Sequence, residues 1–234
     1  MNSAKCKVIS FTRKLNWIDY GYELGDAIIQ RAKSTCDLGV VVDNQLYFKE
    51  HIEKVVSKAN SLFGMTTRIC QELNDPYTIM AIYKGIVRSG IEYANVVWQP
   101  IYEIHRKRLE NVHKKFVKYA VRNLPWREFV SDYRDICMLL AIDTLETRRT
   151  LTDVFFLKDI ISGKYYSPYL ALQVTRYTGR TGLRRDREFY TANRTQNYAR
   201  NEPMYRMMKF VNDNREQIDT DMSKERIKIE LARI

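Results

Sequence analysis

The chain has 234 residues and a formal net charge of +11, from 39 Lys and Arg against 28 Asp and Glu. Hydrophobic residues make up 45% of it, which is enough to bury a core and excludes a globally disordered chain. No run approaches the roughly 18 apolar residues of a membrane span, and no apolar leader with a cleavage site opens the chain. We therefore expect an intracellular protein, cytoplasmic or nuclear, that is not secreted. The positive charge favours a polyanionic partner, either nucleic acid or an anionic membrane surface.

The first segment of the chain is predicted to be β-structure. Residues 6–13 alternate like a strand, and Gly25-Asp26 separates two short runs as a two-residue hairpin turn would. Residues 36–43 are predicted to form a further strand. A sheet needs about three strands or a packed partner for independent stability, so these strands predict neighbours that the sequence does not obviously supply.

From residue 48 onward, apolar residues recur at three- and four-residue steps, which predicts helices. Helices are expected over about 48–73, from an Asp75 cap with Pro76 to about Val97, over about 102–123, over about 129–141, and from a Thr144 cap to near Gly163. Residues 164–202 lack clean periodicity. A final helix is expected from Pro203, followed by a charged stretch over 212–234. The predicted fold class is mainly α, with a small N-terminal antiparallel β segment.

The four cysteines and three histidines do not form a metal-binding pattern, because no C-x-x-C pair occurs and the histidines are not spaced with the thiols. We expect packed or free thiols in a reducing compartment. Catalytic motifs are also absent, and no adjacent Asp pair exists in the sequence. Asp37 and Asp43 lie near a predicted strand without companion carboxylates. We therefore predict no catalytic residues, no metal ligands and no small-molecule substrate site.

The predicted helix over 102–123 has a cationic side. At 100° per residue, one side carries Lys107, Asn111, Lys114, Lys118 and Arg122, and the other side carries Leu109, Val112, Phe116 and Tyr119. Glu110 is the only acid between Lys107 and Arg122, so pairing within this stretch cannot neutralise the cations. Two interpretations stay open for this feature, namely a phosphate-binding helix and an ordinary solvated surface helix.

A second basic feature mixes arginines with aromatic residues over 176–200. Its candidate nucleic-acid-binding residues are Arg176, Arg180, Arg184, Arg185 and Arg187. Such a mixture suits single-stranded nucleic acid, because rings stack on bases while guanidinium groups hold phosphates. The alternative is an irregular loop whose tyrosines pack on the helices behind it. A membrane role is disfavoured, since no wide apolar face opposes the basic run.

Several stretches of the chain together resemble the reverse transcriptases of non-LTR retrotransposons, particularly the jockey-like elements of arthropods. Residues 5–13 look like the strand that follows the catalytic site. Residues 37–40 with Phe48 and 51–52 resemble the primer-grip strand and the entry into the thumb. The further matches are Arg88-Ser89, Glu92-Tyr93, Val96-Val97-Trp98, residues 124–126, 145–149 and 167–170, and Asn201-Glu202-Pro203. They cover the chain to about residue 211, and their shared order is more specific than any one of them.

The resemblance implies three parts. Residues 1–47 would be a β remnant of the polymerase palm, 48–163 a helical thumb-like bundle, and 164–234 a basic Arg/Tyr-rich loop with C-terminal helices. Leu38, Gly39 and Val40 would form a primer-grip-like strand, and the thumb helices would clamp a primer–template of RNA and DNA.

The polymerase carboxylates that bind magnesium would lie upstream of Met1, so the resemblance implies no cofactor in this chain. An upstream polymerase polypeptide is then an expected partner, and the chain alone is expected to be inactive. The alternative is a non-catalytic relic, or a helical module reused to bind nucleic acid or protein.

Overall fold

The structure is a computed structural model that describes residues 6–14, 16, 20–124, 132–177 and 187–233. These residues form a mainly helical fold with two small antiparallel hairpins near the N-terminus, which confirms the predicted fold class. The strands are β1 Glu23–Leu24, β2 Ala27–Ile28, β3 Ser34–Asp37 and β4 Val40–Asp43. The helices are α1 Lys49–Ile69, α2 Pro76–Ile82, α3 Ser89–Glu92, α4 Asn95–Trp98, α5 Glu103–Ala120, α6 Tyr133–Leu139, α7 Leu145–Ile161, α8 Pro168–Gln173, α9 Asn197–Arg200, α10 Pro203–Asp213 and α11 Lys224–Leu231.

The predicted Gly25-Asp26 hairpin is present. Strands β1 and β2 pair antiparallel across it, with Glu23 opposite Ile28, and Gly25 takes a φ of 64°. A glycine has no Cβ to clash in this left-handed region, so the turn closes without steric cost.

Two predicted strands are wrong. Within the described residues, 6–13 form no strand and make only scattered backbone bonds, such as Val8 N–H to Gln30 O at 3.1 Å and Thr12 N–H to Asn44 O at 3.2 Å. Alternating apolar and polar residues predict a strand with one buried face, but a strand also needs a neighbouring strand to bond with. Among the described residues, no continuous partner of this kind lies beside 6–13. The predicted strand over 36–43 is instead a hairpin, because β3 and β4 are joined by a turn at Leu38-Gly39.

The predicted helices are largely confirmed, because their ends are set by local capping. Asp75 accepts hydrogen bonds from the N–H groups of Tyr77 and Thr78, and Thr144 accepts one from Thr147 N–H. Helix α2 continues through a π-helical turn, Tyr83–Arg88, into α3. Tyr93 ends that helix four residues earlier than predicted, because the following residue has a φ of 52° and α4 then begins separately.

The region beyond residue 163 also contains helices that periodicity did not reveal. Helices α8 and α9 have six and four residues, too short for a periodic signal. Helix α10 begins at Pro203 as predicted, with the Glu202 carboxylate accepting from two of its first N–H groups. Helix α11, capped by Ser223, forms inside the stretch predicted only as charged.

The buried apolar residues form two clusters that meet within α7. The first cluster lies among β4, α1, α2, α5 and α6, with Phe116 and Trp98 fully buried. The second lies among α7, α10, α11 and Phe189. Leu145 at the start of α7 belongs to the first cluster, and Val154 on the same helix to the second. Helix α7 therefore connects the elements of the first cluster to the C-terminal helices.

The Asp75 cap predicts a pH-dependent contribution to stability. The Thr78 hydroxyl, then the N–H groups of Thr78 and Tyr77, donate to the Asp75 carboxylate and lower its pKa. A lowered folded-state pKa means that this stabilisation is present above the unfolded value, about 3.9, and is lost as the pH falls through the folded value. Because Asn caps without titrating, Asp75→Asn should keep the cap and lose this dependence.

Urea unfolding followed by circular dichroism, from neutral pH to about pH 3, measures this difference. We expect the wild-type chain to lose stability relative to Asp75→Asn only at the acidic end. Parallel stability curves for the two chains would contradict the assignment.

Candidate nucleic-acid interface

Helix α5 turns one side to solvent, and three of the four cations predicted for that side lie there. Lys107 and Lys118 are exposed, and Lys114 is half-buried with its ammonium 4.9 Å from the centroid of the Tyr133 ring. On the opposite side, Leu109 is fully buried. The helix is thus divided into a packed and a solvent-facing side, as the periodicity predicts. The role of these cations in binding stays a prediction.

Two further cations extend this side and were not among the predicted residues. Arg108 and Lys115 are both exposed. Helical spacing puts them about 80–100° from Lys107, inside the arc that faces solvent. We call the set Lys107, Arg108, Lys114, Lys115 and Lys118 the α5 cationic face. It covers about 16 Å of the helix at 1.5 Å per residue.

Few carboxylates oppose the α5 cationic face. Lys107 lies 4.0 Å from Glu103, and Arg108 lies 3.6 Å from Glu53 of α1. Among the described residues, no carboxylate pairs with the other three members of the face. Exposed pairs of this kind contribute little stability, so their cations remain available to another anion.

The second acid of α5, Glu110, turns away from the cationic face. The Glu110 carboxylate accepts hydrogen bonds from the Tyr133 hydroxyl and the Leu145 N–H, and it lies 3.9 Å from the Arg149 guanidinium. It therefore connects α5 to the starts of α6 and α7. Glu110 has a structural role and does not neutralise the exposed cations.

Helix α1 runs parallel to α5 and widens the basic surface. Arg108 meets Glu53, the Lys115 ammonium donates to Asn60 Oδ1 at 2.9 Å, and the Tyr119 hydroxyl donates to Thr67 O at 3.0 Å. These contacts advance in the same direction along both helices. On α1, Arg68 is exposed next to this line of contacts, with Ser57 and Ser61. The small serines leave the α5 cations accessible from that side.

Arg122 stabilises the fold by binding backbone carbonyls at and after the end of α1. Its guanidinium donates to the carbonyls of Cys70 and Leu73, at 3.0 and 2.9 Å, and to that of Tyr119 at 2.9 Å. It also stacks on the Tyr119 ring at 3.8 Å. The Cys70 carbonyl lies at the C-terminal end of α1, where the helix dipole favours cations. Arg122 therefore stands apart from the α5 cationic face on which its spacing had placed it.

The second predicted basic feature is only partly described. Arg176 lies 3.1 Å from Asp221 and 3.8 Å from Glu188, so nearby carboxylates offset its charge. Arg187 is exposed. The candidates Arg180, Arg184 and Arg185 lie outside the described residues. The described contacts connect Arg176 to the loop before α11 and do not bring it to α5.

The primer-grip-like residues form the tip of the β3–β4 hairpin. Leu38 and Gly39 take φ values of 45° and 86°, so both central residues of the turn are left-handed. Leu38 is 83% exposed and Val40 is buried. The Tyr93 hydroxyl donates to the Leu38 carbonyl at 2.8 Å. The turn therefore presents a leucine side chain to solvent while the bundle holds its backbone.

Arg88, Glu92 and Arg148, three of the residues on which the resemblance rests, form an ion cluster. The Arg148 guanidinium binds the Glu92 carboxylate through two nitrogens, with Nη2 at 2.9 Å, and Arg88 lies 3.8 Å from the same carboxylate. The cluster joins α3 to α7 across more than fifty residues of sequence. Bidentate pairing of this kind fixes orientation as well as proximity.

The buried histidine beside this cluster is not suited to acid–base chemistry. The His113 Nδ1 lies 2.5 Å from the Tyr83 hydroxyl, and both side chains are fully buried. Burial first, and then the positive charges of Arg88, Arg148 and Arg149, lower the pKa of His113 to about 3. The ring is therefore neutral near pH 7 and acts as a hydrogen-bond partner.

Across 6–14, 16, 20–124, 132–177 and 187–233, no three His, Cys, Asp or Glu side chains come together as metal ligands would. None of the helices in the same ranges combines the length and apolarity needed to cross a bilayer.

No protein-family model, curated protein or solved structure matches this chain. The resemblance to reverse transcriptases therefore rests on the quoted residues and on their order.

Proposed function

We propose that this chain contributes the thumb-like helices of an RNA-directed DNA polymerase similar to those of jockey-like non-LTR retrotransposons, and that it holds the primer–template duplex. The observation that carries the proposal is the α5 cationic face, where Glu53 and Glu103 are the only carboxylates of the described residues that pair with its five cations. Its ligand is the sugar–phosphate backbone of RNA and DNA. Binding releases the counterions condensed on that backbone, which supplies affinity without reading sequence.

We assign to the β3–β4 hairpin a contact with the neighbouring part of the same duplex. An exposed leucine at a turn held by Tyr93 supports contact with the sugars of a primer strand. Because the bundle anchors this turn, the hairpin tip and the helices would act on the primer as one unit.

The chemistry of nucleotide addition is assigned to a separate polymerase polypeptide. Magnesium would be held by carboxylates of that partner. Mixing the chain with such a polypeptide and measuring primer extension tests this part. If extension is not restored, the second interpretation stands, a non-catalytic nucleic-acid-binding module.

Binding to an RNA–DNA hybrid is expected to weaken steeply with salt. Replacing Lys107, Lys114 and Lys118 together by Gln removes three phosphate contacts, and each contact contributes about one unit to the slope of log affinity against log salt. We therefore expect the slope to fall by about three units in this variant. Fluorescence anisotropy of a labelled hybrid over a salt titration measures it.

A matched control removes the same charge elsewhere. Lys164, Arg226 and Lys228 are exposed and lie outside the α5 cationic face, and their replacement by Gln should leave the slope nearly unchanged. A flat salt dependence in the wild-type chain, or equal slopes for the two triple variants, would refute the assigned face.

A further inference from the structure

A cleft separate from the α5 cationic face lies where three distant parts of the chain meet. It has a volume of about 580 Å³ and is lined from residues 11–13 with 44–48, from 97–101, and from 194–203. This volume falls within the range of small-molecule and cofactor sites. Ile101 in its wall lies two residues before α5 begins, so the cleft adjoins one end of the basic helix.

The walls of the cleft expose rings and aliphatic side chains. Phe11 is 59% exposed, Val97 54%, Tyr198 45% and Leu46 42%. Phe11 and Leu46 lie outside the helices and strands, Val97 and Tyr198 lie in the short helices α4 and α9, and the four converge only in the fold. Exposed aromatic faces in a concave site are the groups on which unpaired bases stack, because every base has a π-face.

One positive charge in the cleft has no counter-ion among the described residues. The Arg13 guanidinium lies 4.0 Å from the centroid of the Tyr198 ring and 4.8 Å from that of Tyr47, and its Nε donates to Gln45 O at 3.1 Å. The other arginine, Arg194, lies 3.1 Å from Glu202. The cleft therefore carries a net positive charge and favours an apolar ligand with an anionic group.

The cleft also contains an unused hydrogen-bonding group. Gln99 lines it, and the Oε1 of this side chain is buried without a hydrogen-bond partner in the described part of the chain. An unsatisfied buried polar atom costs free energy, which a ligand that donates a hydrogen bond would recover. An amide side chain both donates and accepts, which matches the edge of a nucleobase.

We propose that this cleft binds one unpaired nucleotide of a nucleic-acid strand. The base stacks on Phe11 or Tyr198, its edge bonds to the Gln99 amide, and its phosphate lies at Arg13. The inference deepens the proposed function and rests on it for the nature of the polymer. It adds a site for a single-stranded nucleotide beside the face assigned to the duplex.

The test uses the full chain and a single-stranded RNA tetranucleotide that contains one 2-aminopurine, whose fluorescence is quenched when it stacks. We expect a saturable quench. Phe11→Ala should weaken binding about fivefold or more, the range for loss of one base–aromatic stack. Gln99→Leu should also weaken it. Tyr166→Ala, which removes a 92% exposed ring outside the cleft, is the matched control and should bind as the wild-type chain does.

The outcomes separate this inference from the proposed function. A saturable quench that Phe11→Ala weakens supports the cleft, even if the RNA–DNA hybrid does not bind and the duplex proposal fails. The absence of a saturable quench overturns the cleft proposal, whatever the hybrid does. Equal weakening by Phe11→Ala and Tyr166→Ala also overturns it, because the probe would then be reading exposed rings in general.

Discussion

Replacing Arg206 by Met is expected to destabilise the chain by about 3–5 kcal/mol, because it leaves a buried carboxylate without its partner. The Arg206 guanidinium binds Asp153 through Nε at 2.8 Å and Nη2 at 3.0 Å. It also donates to the carbonyls of Val96 and Asn201. Only 14% of the Arg206 side chain and 7% of the Asp153 side chain are exposed. This pair joins α10 to α7 beside the second cluster of buried apolar residues.

The cost of Arg206→Met should depend on pH. Burial raises the pKa of Asp153, while the charge and hydrogen bonds of Arg206 oppose that rise. In the variant the charge and hydrogen bonds of Arg206 are removed, so the folded-state pKa of Asp153 rises further above its unfolded value. A raised folded-state pKa means that stability is present at low pH and is lost as the pH rises through that value. The deficit of the variant should therefore grow from acidic to neutral pH.

Urea unfolding of the wild-type chain, Arg206→Met, and the double variant Asp153→Leu with Arg206→Met measures this effect. The double variant removes both charges and keeps apolar volume, so it should recover most of the lost stability. A double variant no more stable than Arg206→Met alone would show that the cost arises from lost packing. That result would contradict the assignment to an unpaired carboxylate.

Trp98→Ala is expected to cost about 3–5 kcal/mol in the first core. Trp98 is fully buried, and its indole N–H donates to Tyr93 O at 2.7 Å. Its ring meets that of His51 edge-on, with centroids 4.8 Å apart. The His51 Nδ1 in turn accepts a hydrogen bond from Val41 N–H of β4 at 3.2 Å. Loss of the indole thus removes packing and loosens the contact that docks the β3–β4 hairpin on α1.

Two measurements distinguish these effects. Urea unfolding gives the stability loss, and hydrogen exchange at the Val41 amide should quicken more than exchange at amides within α10. Val97→Ala is the matched control, since Val97 is the neighbouring residue but is 54% exposed, and it should change stability by no more than about 0.5 kcal/mol. Uniform quickening of exchange throughout the chain would argue against a specific link between Trp98 and the hairpin.

The parts of this fold that follow from local chemistry were predictable from the sequence. Asp75 followed by Pro76, and Thr144 before an apolar period, mark helix starts because a side-chain oxygen and the orphan N–H groups lie within a few residues. The cationic and packed sides of α5 were predictable for the same reason, since the helical period alone sets which residues share a side.

The predictions that failed depend on a neighbour distant in sequence. Alternation over 6–13 indicated a strand, but a strand also needs a partner edge, and the described residues offer only scattered bonds. Spacing also did not reveal the contacts of Arg122, because nothing local indicates that the end of α1 lies within reach of its guanidinium, while its role in binding stays a prediction. Arg108 and Lys115 carried a usable signal, since both lie within the solvent-facing arc of the same helix.

The sequence by itself therefore determined the mainly helical class, the helix starts and the basic side of α5, because these depend on charge and on contacts within a few residues. Only the tertiary structure decided which charges stay available. It pairs Glu92 with Arg148 and turns Glu110 inward, and it brings Phe11, Gln99 and Tyr198 to one cleft. These contacts join residues that lie 35 to almost 190 positions apart in the sequence. The packing of distant segments decides which residues come together, and no local sequence pattern reveals it.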